Sequence, residues 1–325
     1  MKEFKPPALL QNAHLMTIAA AFWPRKFPQL PVGVPREFET EPGTRVLAFC
    51  HWHSEPRRHG TLALLHGLEG SSESGYMLGT AEKAFRAGFN VLRVNQRNCG
   101  GTEKLTPTLY NSGLSGDIRA IVGELITRDG LPEIFTAGFS MGGNLVLKMA
   151  AEMGRAAPLE LRGVIAVCPA IELASSADAL SEPRNFVYQR HFVARLKKHM
   201  RYKASLFPAR YPLNGLEGVR SVREFDEVIT ARFCGFTDAD DYYHRSSALR
   251  VIAAIRVPTT IITAQDDPMV PFHIFRNPDL TTNSNISLVT PRHGGHCGFV
   301  SRESGDERFW VEARIVEICE AATSK

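Results

Sequence analysis

Along most of the chain, short apolar runs alternate with amphipathic stretches in the rhythm of a strand followed by a helix. Thr61–Leu65 (TLALL) is an almost wholly apolar run ending in His66-Gly67, as expected of a strand buried on both faces of a parallel sheet. Further strands are expected at 45–52, 89–94, 133–138, 163–168, 259–263 and 286–289. Helical periodicity runs over 77–87, 114–128, 141–153 and 309–322, and Gly88 is placed to end the first of these. This alternation implies an α/β fold with a mostly parallel central sheet flanked by helices on both faces. The opening 1–45 is rich in proline, shows no clear period, and reads as an irregular lead-in draped over the domain. Between about 171 and 248 no strand signal recurs. We read 172–245 as a helical cap inserted within a single domain spanning 1–325.

Composition changes this picture little. The chain has 325 residues, 44% hydrophobic and 22% charged, which suits a globular protein rather than a disordered one. Six cysteines are scattered without a C-x-x-C pair, and the start lacks a secretory signal, so reduced thiols in a cytoplasmic protein are expected. The longest early apolar run, Leu15 to Trp23, is closed by Pro24, far short of the ~20 residues a membrane-spanning helix needs.

Charge is informative only once located. The net charge of +4 comes from one window. Between Glu182 and Glu217 there is no acid, while Arg184, Arg190, Arg195, Lys197, Lys198, Arg201, Lys203 and Arg210 all fall there. Outside it, acids outnumber bases. One basic patch without a binding motif does not make a nucleic-acid protein. Within the window, Phe192, Val193, Leu196 and Met200 recur at near-helical spacing. Two readings stay open: an amphipathic helix whose charges make peripheral contact with anionic lipid, or a core-facing stripe with a solvated basic face.

The chemistry concentrates in four places. Gly138-Phe-Ser140-Met-Gly142 matches G-x-S-x-G between an expected strand and an expected helix, where a nucleophile elbow exposes a serine hydroxyl. Ser140 is therefore the candidate nucleophile, and the Met141 N–H at the helix start a candidate oxyanion donor. The loop His66-Gly67-Leu68-Glu69-Gly70, after an earlier buried strand, places Leu68 to supply a second N–H. A serine hydroxyl needs a base, and the base a carboxylate to hold its tautomer. Asp267, in Asp266-Asp267-Pro-Met-Val-Pro271, and His296, in His293-Gly-Gly-His296-Cys-Gly-Phe299, follow in the order serine, acid, histidine. Asp266 and His293 are the competing pair, and Asp267 and His296 are the better placed. Cys297 reads as a small buried residue beside the site. His51, His53 and His59 lack a metal-binding pattern. No metal or cofactor is expected.

With these residues in hand, the chain resembles the YheT-like branch of the α/β-hydrolases, which includes the ABHD1/2/3-type proteins of mammals. The likeness rests on Asn12-Ala-His14-Leu-Met-Thr17, Leu65-His-Gly-Leu-Glu-Gly70, Asn95-Gln-Arg-Asn-Cys-Gly-Gly101, the elbow, Gly235-Phe-Thr-Asp-Ala-Asp-Asp-Tyr-Tyr243, and the acid and histidine blocks. The N-x-H-x-x-T start and the Asp-Tyr-Tyr block are the most particular to this branch. Asn98 departs from the glycine expected before Cys99. The resemblance implies Ser140, Asp267 and His296 as the charge-relay residues and hydrolysis of carboxylic esters, with short-chain acyl esters or acylglycerols as small-molecule or lipid-like substrates. Eukaryotic members carry an N-terminal membrane anchor, and this chain shows none. The same groups would serve a thioesterase, an amidase or an acyltransferase, and some α/β-hydrolase folds are non-catalytic ligand-binding scaffolds. A dehalogenase would carry aspartate at the elbow, and a dinucleotide-binding protein a G-x-G-x-x-G after a strand. Neither is present. Oligomeric state is not legible.

Overall fold

Aliphatic residues fill the middle of one sheet. In the computed structural model, which describes residues 2–323 and so excludes both ends of the expected 1–325 domain, eight strands form it. They are β1 (Val34–Glu41), β2 (Thr44–His51), β3 (Thr61–Leu65), β4 (Asn90–Val94), β5 (Ile134–Phe139), β6 (Leu161–Val167), β7 (Thr259–Ile262) and β8 (Ile286–Val289). Their spatial order is β1-β2-β4-β3-β5-β6-β7-β8. Strands β3 to β8 pair in parallel; β1 and β2 form an antiparallel edge. Every residue of β3, β4 and β5 is buried. That is why these segments read as continuous apolar runs rather than alternating ones.

Eleven α-helical segments surround the sheet among the described residues: α1 (Ala13–Phe22), α2 (Gly75–Arg86), α3 (Ser115–Thr127), α4 (Met141–Met153), α5 (Leu173–Ser181), α6 (Phe186–Leu206), α7 (Val222–Phe225), α8 (Arg232–Cys234), α9 (Ala239–Ser246), α10 (Pro278–Thr281) and α11 (Trp310–Ala322). One apolar layer joins Ile118, Ile121 and Leu125 of α3 to Leu145 and Met149 of α4 and one sheet face. The other joins Met77 and Ala81 of α2, Trp310 and Ile315 of α11, and Met16 of α1 to the opposite face. Each fully buried aliphatic side chain in these layers contributes about 1.5–3 kcal/mol relative to exposure.

The expected strands and helices outside the first 45 residues are found within about two positions of where periodicity placed them. The lead-in is the correction, because it contains α1 and β1. Helix α1 hides its period: it buries Met16 and Thr17 yet leaves Leu15, Ile18 and Phe22 exposed, so it is apolar on both sides. Strand β1 reads as polar since it is an edge strand with Pro35 and three glutamates, burying only Phe38.

Between β6 and β7 the chain is helical, with no strand among the described residues. A third apolar cluster forms there from Leu180, Val193, Leu196, Met200, Phe225 and Ile229, joined by Met269 from the core. The α6 stripe therefore faces this cluster, while Arg190, Arg195, Lys198 and Arg201 point outward. Asp226–Ala231, between α7 and α8, is a turn of π-helix. No helix of the described residues is long and apolar enough to cross a membrane.

Candidate active site

The loops that follow β3, β5, β7 and β8 meet at the carboxyl edge of the sheet, where ligands of open α/β sheets bind. Strand β5 runs straight into α4 through Ser140, whose backbone sits at φ 53° and ψ −116°. A non-glycine residue held there costs about 1–3 kcal/mol. The strain is held by packing: the Ser140 N–H donates to Val167 O at 2.8 Å. The turn is so tight that a Cβ on Gly138 would lie 2.1 Å from Gly142 O. Only glycine fits.

Ser140, His296 and Asp267 come together from β5, β8 and β7. His296 Nε2 lies 2.9 Å from Ser140 Oγ, and its Nδ1 2.8 Å from Asp267 Oδ2. The other Asp267 oxygen accepts the N–H groups of Met269 at 2.8 Å and Val270 at 3.0 Å, so the carboxylate cannot rotate. Its side chain is wholly buried. Burial alone would push the His296 pKa down. The Asp267 carboxylate outweighs it through charge and hydrogen bond, with Cys297 adding in the same sense, and the net shift is upward.

The competing pair also meets, and does something else. His293 Nδ1 lies 3.2 Å from Asp266 Oδ2, while Asp266 Oδ1 accepts the Gly295 N–H at 3.0 Å. Asp266 thus ties down the loop that presents His296, without touching His296 itself.

Leu68 and Met141, the two expected oxyanion donors, both line the cavity beside Ser140. Neither backbone N–H donates to an acceptor among the described residues. Helix α4 starts at Met141, adding its dipole. The Leu68 loop is held by groups the sequence reading missed. His66 Nε2 accepts the Gln96 N–H at 3.1 Å, so the ring proton is on Nδ1 and donates to Gly67 O at 2.8 Å. Burial keeps that ring neutral, its pKa lowered to about 4. The Gly70 N–H also donates to Gly67 O, at 3.0 Å. A trans peptide with its carbonyl held on one side presents the Leu68 N–H on the other. Tyr76 OH accepts the Gly67 N–H at 3.0 Å.

Glu69, next in the loop, adopts φ 55°. Its carboxylate accepts from Tyr110 OH at 2.6 Å and lies 3.0 Å from His199 Nδ1, and its carbonyl accepts from Arg195 at 2.7 Å. Burial would raise the Glu69 pKa, but these donors outweigh it and the net shift is down. Arg195 and His199 belong to α6, so that helix grips the Leu68–Glu69 loop directly.

The N-x-H-x-x-T block acquires a role here. Asn12 caps α1, its side chain accepting from the N–H groups of His14 and Leu15. Thr17 Oγ1 accepts the His296 N–H at 2.9 Å and donates to Ala13 O at 2.7 Å. Gly295, at φ 56°, lets α1 approach: a Cβ there would lie 2.6 Å from Ala13 O. Thr17→Val, nearly isosteric, would strand that N–H. We expect kcat to fall about tenfold with KM little changed, and Thr17→Ser to restore it, measured by steady-state ester hydrolysis.

Two cavities meet at Ser140, sharing Leu68, Phe192, Met269 and His296 as common walls. The smaller, about 110 Å³, lies under α5 and residues 222–230 and has a polar end of Asn111, Ser112, Asp226, Tyr242 and Tyr243. Asp226 is raised to about 6 by burial although Thr230 and Tyr243 donate to it. The two tyrosines of the Asp-Tyr-Tyr block thus form part of the wall of this chamber. The larger, about 460 Å³, runs between α1 and the start of α6.

Cys168, His296 and Cys297 form the one three-residue grouping with metal-ligand potential among the described residues. The grouping fits a metal poorly. Both His296 nitrogens are engaged, and burial raises the Cys168 thiol well above its ordinary range, keeping it neutral. His51, His53 and His59 form no such group: His51 accepts from Arg93 and His53 stacks on His59.

Residues 60–303 match the alpha/beta hydrolase fold family. The chain is 30% identical over 316 residues to YheT of Escherichia coli (strain K12), named as a candidate esterase, covering 96% of this chain and 92% of that protein. It is 29% identical over 265 residues to the monoacylglycerol lipase of Saccharomyces cerevisiae, covering 77% of this chain and 57% of that one. Among solved structures, the Pyrococcus furiosus esterase Pf2001 shares the fold with a TM-score of 0.61 at 16% identity, over 93% of this chain and 97% of that one.

Proposed function

The chain belongs to the α/β-hydrolase family, in the YheT-like branch, and from that premise we propose that it is a serine carboxylic-ester hydrolase acting on short-chain acyl esters or acylglycerols. The observation that carries this reading is the line of two hydrogen bonds, 2.8 and 2.9 Å, from Asp267 through His296 to Ser140 Oγ. His296 takes the Ser140 proton as Oγ attacks the ester carbonyl. The N–H groups of Leu68 and Met141 stabilise the oxyanion, and His296 returns the proton to the leaving alcohol. Water activated by the same imidazole then releases the acid from the acyl-enzyme.

The paired chambers support an ester with unequal halves. The small chamber, with its polar end, suits a short acyl group or a compact polyol; the larger, mostly apolar one suits a long chain. Monoacylglycerol lipase among the relatives points the same way. We take 172–245 as a cap within a single hydrolase domain, since its helices roof the small chamber.

Active-site titration tests this reading. A fluorophosphonate should label one serine per chain, Ser140, and turnover of p-nitrophenyl esters should fall in proportion to labelling. The best chain length between acetate and palmitate then identifies which chamber takes the acyl group. Full turnover after complete labelling of Ser140 would refute the assignment.

A further inference from the structure

Helix α1 and the first turn of α6 expose large apolar side chains around the opening of the larger chamber. Leu15, Ile18 and Phe22 are 51%, 41% and 77% exposed, at a spacing that sets them on one face of α1. Trp23, just beyond the helix, is 38% exposed, and Phe186 and Val187 at the start of α6 are 61% and 67% exposed. The two elements touch: the His14 ring stacks on Tyr188 with centroids 5.7 Å apart. Ile18, Phe22 and Val187 also line the chamber whose inner end is Ser140 and His296. One apolar rim therefore frames the entrance to the candidate nucleophile. An exposed apolar patch of this kind, rimmed by polar residues, marks an interaction surface.

Charge selects the partner. No Asp or Glu occurs between Lys5 and Arg36, or between Glu182 and Glu217, the two stretches that build the rim. Lys26 follows Trp23, and Arg190, one turn after Phe186 and Val187, is exposed, as are Arg195 and Lys198 further along α6. A symmetric contact between two copies would press these like charges together. An anionic headgroup layer over hydrocarbon matches both features at once. We propose that this rim is a docking surface for an anionic lipid bilayer, seated with α1 and the start of α6 at the headgroup–acyl boundary so that the larger chamber opens into the membrane. The α6 stripe of Val193, Leu196 and Met200 takes no part, being buried. Only the purpose of that opening, delivery of a lipid ester to Ser140, rests on the esterase reading.

The test uses Ser140→Ala protein with vesicles of phosphatidylcholine alone or with phosphatidylglycerol. Co-sedimentation should be at least about tenfold stronger with phosphatidylglycerol. Lipids brominated in their acyl chains should quench Trp23 fluorescence, with Trp23→Phe as the baseline. Leu15→Asp/Phe186→Asp, at exposed positions lining neither chamber, should weaken vesicle binding at least about tenfold. The same pair in the wild-type background should leave hydrolysis of soluble p-nitrophenyl acetate unchanged. The proposal is overturned by no binding, by binding without Trp23 quenching, by equal binding of the double variant, or by a dimer in light scattering that the double variant disperses. Because binding is read on Ser140→Ala protein, its failure leaves the hydrolytic reading standing, and absence of turnover leaves the docking result standing.

Discussion

Ser140→Ala is expected to lower kcat for ester hydrolysis by about 10⁴–10⁶ while leaving the fold intact. Alanine keeps the Cβ that the elbow already tolerates at φ 53°, so the backbone cost is the same in both proteins and the thermal midpoint should barely move. What disappears is the only hydroxyl within hydrogen-bond reach of His296 Nε2 among the described residues. Cys297 stands nearby and lines the larger chamber, yet its thiol donates to Val167 O at 3.7 Å and makes no hydrogen bond to His296 among the described residues. It is not positioned to substitute. His296→Ala should cost a similar factor, and the double variant little more than either single one, because base and nucleophile act as a unit. The Leu68 and Met141 donors would still provide the residual rate over water. Parallel kcat measurements on the three variants with one p-nitrophenyl ester decide it. A Ser140→Ala protein with most of the wild-type rate would sink the reading, and additive losses would mean that the two residues work in separate steps.

The parts of the site that could be read from sequence are those whose signal is local. The elbow announces itself because two glycines flank a serine at a strand-to-helix junction, a steric demand contained within five residues. The acid and histidine stood in the right order after their strands, but two of each were present. Choosing between them by spacing left Asp266 and His293 without a role. In space both pairs form, and the difference lies in what each reaches: His293 pairs with Asp266 to hold the loop, while His296 reaches Ser140.

What stayed illegible depends on contacts between residues distant in the chain. Thr17 supports a histidine loop 279 positions away. Glu69 is gripped by α6 more than a hundred positions later. No periodicity records such pairings. Helix α1 was unreadable for a different reason. A helix that is apolar on its exposed face as well as its buried one has no amphipathic stripe to detect, and that surplus apolarity is what the lipid-docking proposal explains.

Asp267→Asn should lower kcat by about 10⁴ without unfolding the protein. The reason is orientational. The N–H groups of Met269 and Val270 both point at one carboxylate oxygen, so the asparagine must keep its carbonyl there; its NH₂ would otherwise face two donors. The NH₂ then falls opposite His296 Nδ1, which can only accept. The imidazole proton is driven onto Nε2, aimed at Ser140 Oγ, and the ring can no longer take the serine proton. The pH profile supplies an independent check. In the wild type the net effect of burial and of the Asp267 carboxylate raises the His296 pKa above its ordinary 6.5. Imidazole acts as a base only when neutral, so wild-type kcat/KM should rise with pH along an acid limb centred above that value and be lost below it. With the carboxylate gone, burial is opposed only by the smaller contribution of Cys297, and the limb of the residual activity should move to lower pH even as its height collapses. Asp266→Asn is the control: it touches His293 and the Gly295 N–H, so its limb should stay where the wild type's lies. A limb that fails to move in Asp267→Asn, or one that moves in Asp266→Asn instead, would transfer the orienting role to the other acid.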